Sequence, residues 1–159
     1  MENTSDPAGR NERDLFFMKQ AIEAAQQAAA RGEVPIGAVI VIDDVVVACR
    51  SNEREQSADP TAHAEILALR DAASAKKSWR LDGATMYVTL EPCAMCAGAL
   101  VNARIGRVVF GARNLEAGAC GSLYNLGADP RLNHEFAITT DLCAEECGQL
   151  LTEFFSSRR

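Results

Sequence analysis

The sequence predicts an α/β fold: a three-layer α/β/α sandwich around a mixed central sheet of about five strands. Three observations predict it. Helix-periodic runs alternate with short β-rich runs along the chain. A strand, a helix and a strand follow one another over 84–112 with joints so short that the two strands must pair in parallel through a right-handed crossover. The 159 residues, 48% of them apolar, suffice for one core and one domain.

Taken in order, residues 1–11 are polar and are expected to form a disordered tail, with the single domain over 12–159. "DLFFMKQAIEAAQQAAARG" repeats apolar residues at helical spacing, with Asp14 as N-cap and Gly32 as stop. "VPIGAVIVID" and "VVVACRS" flank Asp43-Asp44 and predict a hairpin. A helix is expected over 60–76, capped by Asp59 and opened by Pro60, then a strand at "ATMYVTL" and a helix opened by Pro92 at "PCAMCAGALVNA". "GRVVFGA" is the next strand. Residues 113–134 read as loop with one helical turn, "EFAIT" as a weak strand and 141–156 as the closing helix.

Composition excludes several function classes. No run approaches the roughly 20 apolar residues of a membrane span, and "MENTSDPAGR" lacks the order of a secretory signal, so a soluble cytoplasmic protein is expected. The six cysteines are then reduced thiols, some of them metal ligands. A net charge of −6 argues mildly against a phosphate backbone as partner.

The informative residues are His63, Glu65, Cys93 and Cys96. Cys93 and Cys96 stand three apart at a helix start, so their sulfurs share a face. His63 begins the preceding helix, and two facing helix starts would bring all three to the C-terminal edge of the sheet. One nitrogen and two sulfurs suit Zn²⁺ better than Mg²⁺ or Ca²⁺ and leave a fourth position for water, whose pKa zinc lowers to about 7. Glu65 is placed to move that water's proton without binding the ion. A lone C-x-x-C also fits a redox pair. Cys143 and Cys147 fit core packing, the fourth ligand of a purely structural zinc, or a second site with His134, and Cys49 and Cys120 carry no pattern and read as buried thiols.

The H-x-E and P-C-x-x-C pair resembles the signature of zinc-dependent nucleobase deaminases. "VPIGAV", "DPTAHAEILALR", "MYVTLEPCAMCAGA", "RIGRVVFGAR", "GACGSLYNL" and "FFSSRR" together resemble the bacterial tRNA-specific adenosine deaminases over about 14–159. Riboflavin-pathway deaminases share H-A-E but differ after the first cysteine. The resemblance implies a cytidine deaminase-like fold and a homodimer that converts the wobble adenosine of a tRNA anticodon stem-loop to inosine. It implies His63, Cys93 and Cys96 as zinc ligands and Glu65 as proton shuttle. Asn52, Val34, Pro35 and Ala64 would then meet the target nucleoside, and Arg113, Asn114, Phe155 and Arg158 the flanking nucleotides. Simple packing is the alternative for Val34, Pro35 and Ala64. Asn114 stands where many relatives carry Asp, which weakens any bond to a ribose 2′-OH; an asparagine there also suits a turn cap.

Three readings thus stand side by side: the RNA-editing enzyme, a deaminase of a free base or nucleoside, and a non-catalytic zinc or redox module. The acidic total favours the second. Arg104, Arg107, Arg113, Arg131, Arg158 and Arg159 give the segments after the second metal-binding helix a basic share that, with the family likeness, favours RNA.

Overall fold

The computed structural model describes residues 7–158. Its elements are α1 (Pro7–Ala30), β1 (Gly37–Ile42), β2 (Val45–Ser51), α2 (Arg54–Ser57), α3 (Ala64–Lys76), β3 (Thr85–Leu90), α4 (Ala94–Asn102), β4 (Arg107–Ala112), a 3₁₀ turn (Leu126–Ala128), β5 (Ala137–Thr139) and α5 (Ala144–Ser156). The sheet has five strands in the order β2-β1-β3-β4-β5. β1 is antiparallel to β2 and β3, whereas β3–β4 and β4–β5 are parallel. The mixed sheet and its parallel crossover are as the sequence predicts.

Both faces of the sheet are covered, so the strands are continuous apolar runs rather than alternating ones. Alternate residues supply the two cores. Ala38, Ile40, Met86, Val88, Val108 and Phe110 pack with α3 and α4. Val39, Val41, Tyr87 and Val109 pack with Phe17, Met18, Ala21 and Ile22 of α1 and Cys147 of α5. Gly37 brings β1 under α1, because a Cβ there would fall 2.0 Å from the Ala21 carbonyl. Asp43 and Asp44 take φ of 51° and 61°, the left-handed pair of a type I′ hairpin. Gly32, at φ +84°, turns the chain after α1 as expected.

Several element starts differ from the sequence reading, each for a physical reason. α1 already runs from Pro7, so residues 7–11 are helical; of the expected tail, 1–6 lie outside the described residues. Asp14 therefore caps nothing. It is buried and accepts hydrogen bonds from the Tyr87 hydroxyl (2.7 Å) and, through both oxygens, from Arg107 (2.9 and 2.6 Å). Asp59 does not cap a helix at Pro60 either. Its Oδ1 accepts from the N–H and hydroxyl of Thr61, both at 2.8 Å, and this local turn delays the helix to Ala64. His63 becomes the N-cap, in extended conformation. Likewise Pro92 precedes the helix, and Cys93 is the N-cap of α4. The closing helix starts at Ala144, after Asp141 and Cys143 adopt positive φ. The sequence reading has no counterpart to the short helix α2.

The Asp14–Arg107 pair ties α1 to β4, with side chains only 7% and 15% exposed. Asp14→Ala should destabilise the protein by about 3–5 kcal/mol, since it strands a guanidinium in the interior. Adding Arg107→Leu should recover most of that loss. Urea denaturation of the wild type and both variants checks the pair.

Candidate metal centre and substrate cavity

The topology gathers chemistry at one edge. The chain enters β1 there, and β2, β3 and β4 all end there, so residues 34–36, 52–54, 91–93 and 113–117 meet around one opening. α3 and α4 both begin at this edge, and their first-turn N–H groups have no partner within the helix. The partial positive charge of those starts favours anionic groups beside them.

His63 and Cys93 sit at the two N-caps and Cys96 one turn into α4. Among the described residues these three form a group whose ligand atoms all lie within 4.8 Å of one another. Nδ1 of His63 is 3.7 Å from the sulfur of Cys93 and 3.5 Å from that of Cys96. Bond lengths of about 2.0 Å to nitrogen and 2.3 Å to sulfur at a tetrahedral angle put N and S about 3.5 Å apart, so the spacing fits a tetrahedral zinc-type ion. Thiolate character is already present. The hydrogen bond from Cys96, and then that with His63, hold Cys93 down at about 3. The hydrogen bond to Cys93 raises His63, and the one it gives Cys93, reinforced by burial, raises Cys96. Glu65, in the first turn of α3, is 4% exposed, and burial raises its carboxyl above the usual range. It is suited to carry a proton.

Beside the centre lies a cavity of about 550 Å³, within the range of small-molecule sites. Val34, Asn52, Ala64, Arg113, Asn114 and Phe155 line it, as do His63, Glu65 and Cys93. Asn52 is held in place, its Oδ1 accepting from Arg54 N (3.1 Å) and its Nδ2 reaching Val34 O at 3.4 Å. Pro35 does not line the cavity. Ile36 N donates to the Val34 carbonyl at 2.9 Å, closing a tight turn on Pro35, and Val34 and Ile36 form the wall while Pro35 is buried away from it.

The flanking-nucleotide candidates divide. Phe155 is half exposed on the rim. Asn114 lines the cavity, but its Oδ1 accepts from the N–H groups of Glu116 (3.3 Å) and Ala117 (3.0 Å), the turn-capping role. Arg113 is bound through two nitrogens to Asp141. Arg158 is not at the cavity; its guanidinium stacks on Phe154 at 3.6 Å. The broader basic share is also internally engaged. Arg107 is paired with Asp14, Arg131 with Asp129, and Arg104 with the Val101 carbonyl, while Arg159 lies outside the described residues.

Residues to which the sequence reading gives no role of their own complete the site. Ile36, Arg54, Leu90, Leu115 and Leu151 line the cavity. Glu33, 2% exposed, accepts from the N–H groups of Glu55 (3.3 Å) and Gln56 (2.6 Å) and so caps α2, which carries Arg54. Glu91, 1% exposed, accepts from the loop after β4. All six cysteines are free thiols. Cys120 is buried as expected, but Cys49 is exposed, because it lies on the sheet's edge strand. No second metal group forms among the described residues: Cys147 packs in the core and His134 Nε2 lies 2.6 Å from the Ile105 carbonyl.

The family model of MafB19-like deaminases matches residues 12–159. The chain is similar to a tRNA-specific adenosine deaminase of Bacillus subtilis, 47% identical over 92% of this chain and 91% of that one. It is equally similar, at 47%, to one from Haemophilus influenzae, over 94% and 87% of the two chains. Among solved structures it resembles one from studies of A-to-I editing by tRNA:A34 deaminases at the wobble position, with a TM-score of 0.83 and 42% identity over 86% of this chain and 99% of that one. A guanine deaminase from Nitrosomonas europaea is similar at 26% identity and a TM-score of 0.73, over 87% and 82%. Among the described residues no helix is long and apolar enough to cross a membrane.

Each chain should bind one transition-metal ion. His63→Ala or Cys93→Ala should abolish binding, and Cys49→Ala or Cys143→Ala should leave it unchanged, as read by elemental analysis after dialysis.

Proposed function

The chain belongs to the deaminase family that includes the tRNA-specific adenosine deaminases, and from that premise we propose that it converts the wobble adenosine of a tRNA anticodon loop to inosine, releasing ammonia. The observation that carries this reading is the nitrogen-and-two-sulfur centre with buried Glu65 opening into a base-sized cavity. A nucleotide of a single-stranded loop reaches such a cavity at lower unstacking cost than one in a duplex.

His63, Cys93 and Cys96 would hold a Zn²⁺ ion, which supplies an acidified water as nucleophile when bound. The remaining work falls to the chain. Asn52 and the first turn of α3 at Ala64 orient the base, with Val34 and Ile36 against its apolar faces. Glu65 accepts a proton from the attacking water and delivers it to N1 of the adenine. It then passes a proton to the departing amino group, so that adenosine and water become inosine and ammonia. The protein acts in the cytoplasm as a homodimer on this reading. The apolar trough between α3 and α4, lined by Ile66, Leu69, Trp79 and Leu81, offers a face for the second copy.

The deciding experiment incubates the metal-loaded protein with total tRNA and, separately, with free bases and nucleosides, and looks for inosine and ammonia. Inosine at the wobble position supports the reading; turnover of free guanine or cytosine alone would sink it in favour of a free-base deaminase. Glu65→Ala should keep the ion and lose about 10²–10⁴-fold in rate, the usual share of acid–base catalysis. Release of the ion by that variant would make Glu65 a fourth ligand instead. Among the described residues Arg54 and Arg113 are the arginines that line the cavity, and Arg113 is already paired with Asp141, so affinity for an anticodon stem-loop should fall with salt at a log–log slope of about −0.7 to −1.4. The six arginines of the sequence reading would give about −4.

A further inference from the structure

Glu91 is a buried carboxylate without a part in the reaction above. It ends the link from β3, two residues before Cys93, and is 1% exposed. Its Oε1 accepts from Asn114 N (3.2 Å) and the Ser122 hydroxyl, and its Oε2 from Cys120 N (3.1 Å) and Ser122 N (3.0 Å). Burial opposes the charge, but these hydrogen bonds prevail and keep the carboxyl below the usual range. All four donors belong to one loop. Gly118 of that loop pairs with Cys93 in an isolated bridge, and Ala119 N donates to the Pro92 carbonyl at 2.8 Å. A Cβ on Gly118 would fall 2.4 Å from Oε2 and 2.5 Å from the Asn114 carbonyl, so the loop closes around the carboxylate only with glycine there.

Between the anchored points, Leu115, Glu116 and Ala117 line the cavity. The fastening is thus attached to the segment that presents Cys93, and the fastened part is the wall on the side of Arg113 and Phe155. We propose that Glu91 is a positioning residue that locks the 114–122 loop as the wall against which the nucleotides flanking the target base dock. This rests on the proposed RNA substrate. Glu91 also lines the cavity, but all four of its hydrogen bonds go to the loop, and it acts through the loop.

The chemistry of the carboxylate supplies a clean variant. Each oxygen accepts two hydrogen bonds, and Gln offers one oxygen and one NH₂, which is a donor only. Turned toward Cys120 N and Ser122 N, the amide NH₂ of Glu91→Gln faces two donors; turned toward Asn114 N and the Ser122 hydroxyl it faces one fixed donor, because the hydroxyl can rotate and accept, so at least one hydrogen bond is lost at preserved volume. The experiment measures kcat and KM on an anticodon stem-loop, zinc content, and amide hydrogen exchange of the 113–123 segment, for wild type, Glu91→Gln and Ser122→Ala.

For Glu91→Gln the expected result is one zinc per chain, exchange of the loop amides about tenfold faster or more, and KM raised by about tenfold with kcat within about threefold, since at least one hydrogen bond to the carboxylate is lost and a buried donor is left facing the amide NH₂. Ser122→Ala loses one donor and should shift KM the same way by about threefold. A merely structural carboxylate would loosen the loop without moving KM, and that outcome overturns the proposal. So does a fall in kcat at unchanged KM, which would place Glu91 in the chemistry, or loss of zinc, which would place it in the metal site. If Glu91→Gln does not fold, Ser122→Ala decides by the same criteria. A wild type inactive on the stem-loop counts against the proposed function instead, and the exchange rates then decide separately whether Glu91 holds the loop.

Discussion

Because β2, β3 and β4 run the same way, with β1 antiparallel between the first two, every strand-to-loop exit on that side of the sheet opens at one edge. α3 follows β2 and α4 follows β3, so both helices must start there and run back along the sheet. The site inherits this geometry. Two helix starts at one edge place extended N-cap residues side by side, and an N-cap side chain projects beyond its helix rather than along it. His63 and Cys93 occupy those two positions, which lets residues far apart in the chain meet at 3.7 Å. Glu65, two residues after an N-cap, can turn to the same point, which two residues deep in a helix could not do.

A chain of net charge −6 is rich in carboxylates, and water is the surrounding that solvates them best. Among the described residues four of them are buried, and each meets the cost differently. Asp14 has a guanidinium and a phenol. Glu33 and Glu91 have backbone amides of the segments they hold. Glu65 has its own N–H and the Cys96 thiol, and burial still raises its carboxyl above the usual range. The distinction separates three framework acids, each hydrogen-bonded to the segment it holds, from one whose carboxyl burial pushes above the usual range. The arginines show the converse. Arg107, Arg113 and Arg131 are matched by Asp14, Asp141 and Asp129, so a count of cations in the sequence overstates the charge offered to a polyanion.

The order of elements, the hairpin at Asp43-Asp44 and the group His63, Glu65, Cys93 and Cys96 were legible because each leaves a local mark: period, turn residues or ligand spacing. What was not legible depends on partners without such a mark. Glu33 and Glu91 bind main-chain amides, which every residue has. Asp14 looks like a cap until Tyr87 and Arg107, 73 and 93 residues away, are brought to it. Asp59 has a capping residue's chemistry but spends it on Thr61, and this displaces the helix start to the place where His63 is useful. Pro35 and Ile36 exchanged roles because the family likeness marks a stretch, whereas the backbone decides which of two successive side chains faces the opening.

The fastening of the 114–122 loop has a consequence for how such a molecule changes over generations. Glu91 grips main-chain groups and one hydroxyl, so the identities of residues 115, 116 and 117 do not enter the grip. Drift at those three positions alters the texture of the wall while its placement is inherited unchanged. Gly118 has no such liberty, since any larger residue would meet the carboxylate. The fold thereby sets a tolerant stretch against an intolerant neighbour within a single loop. New sequence preferences can be tried at the first while the second keeps the scaffold, and the metal-binding segment beside it, as they were.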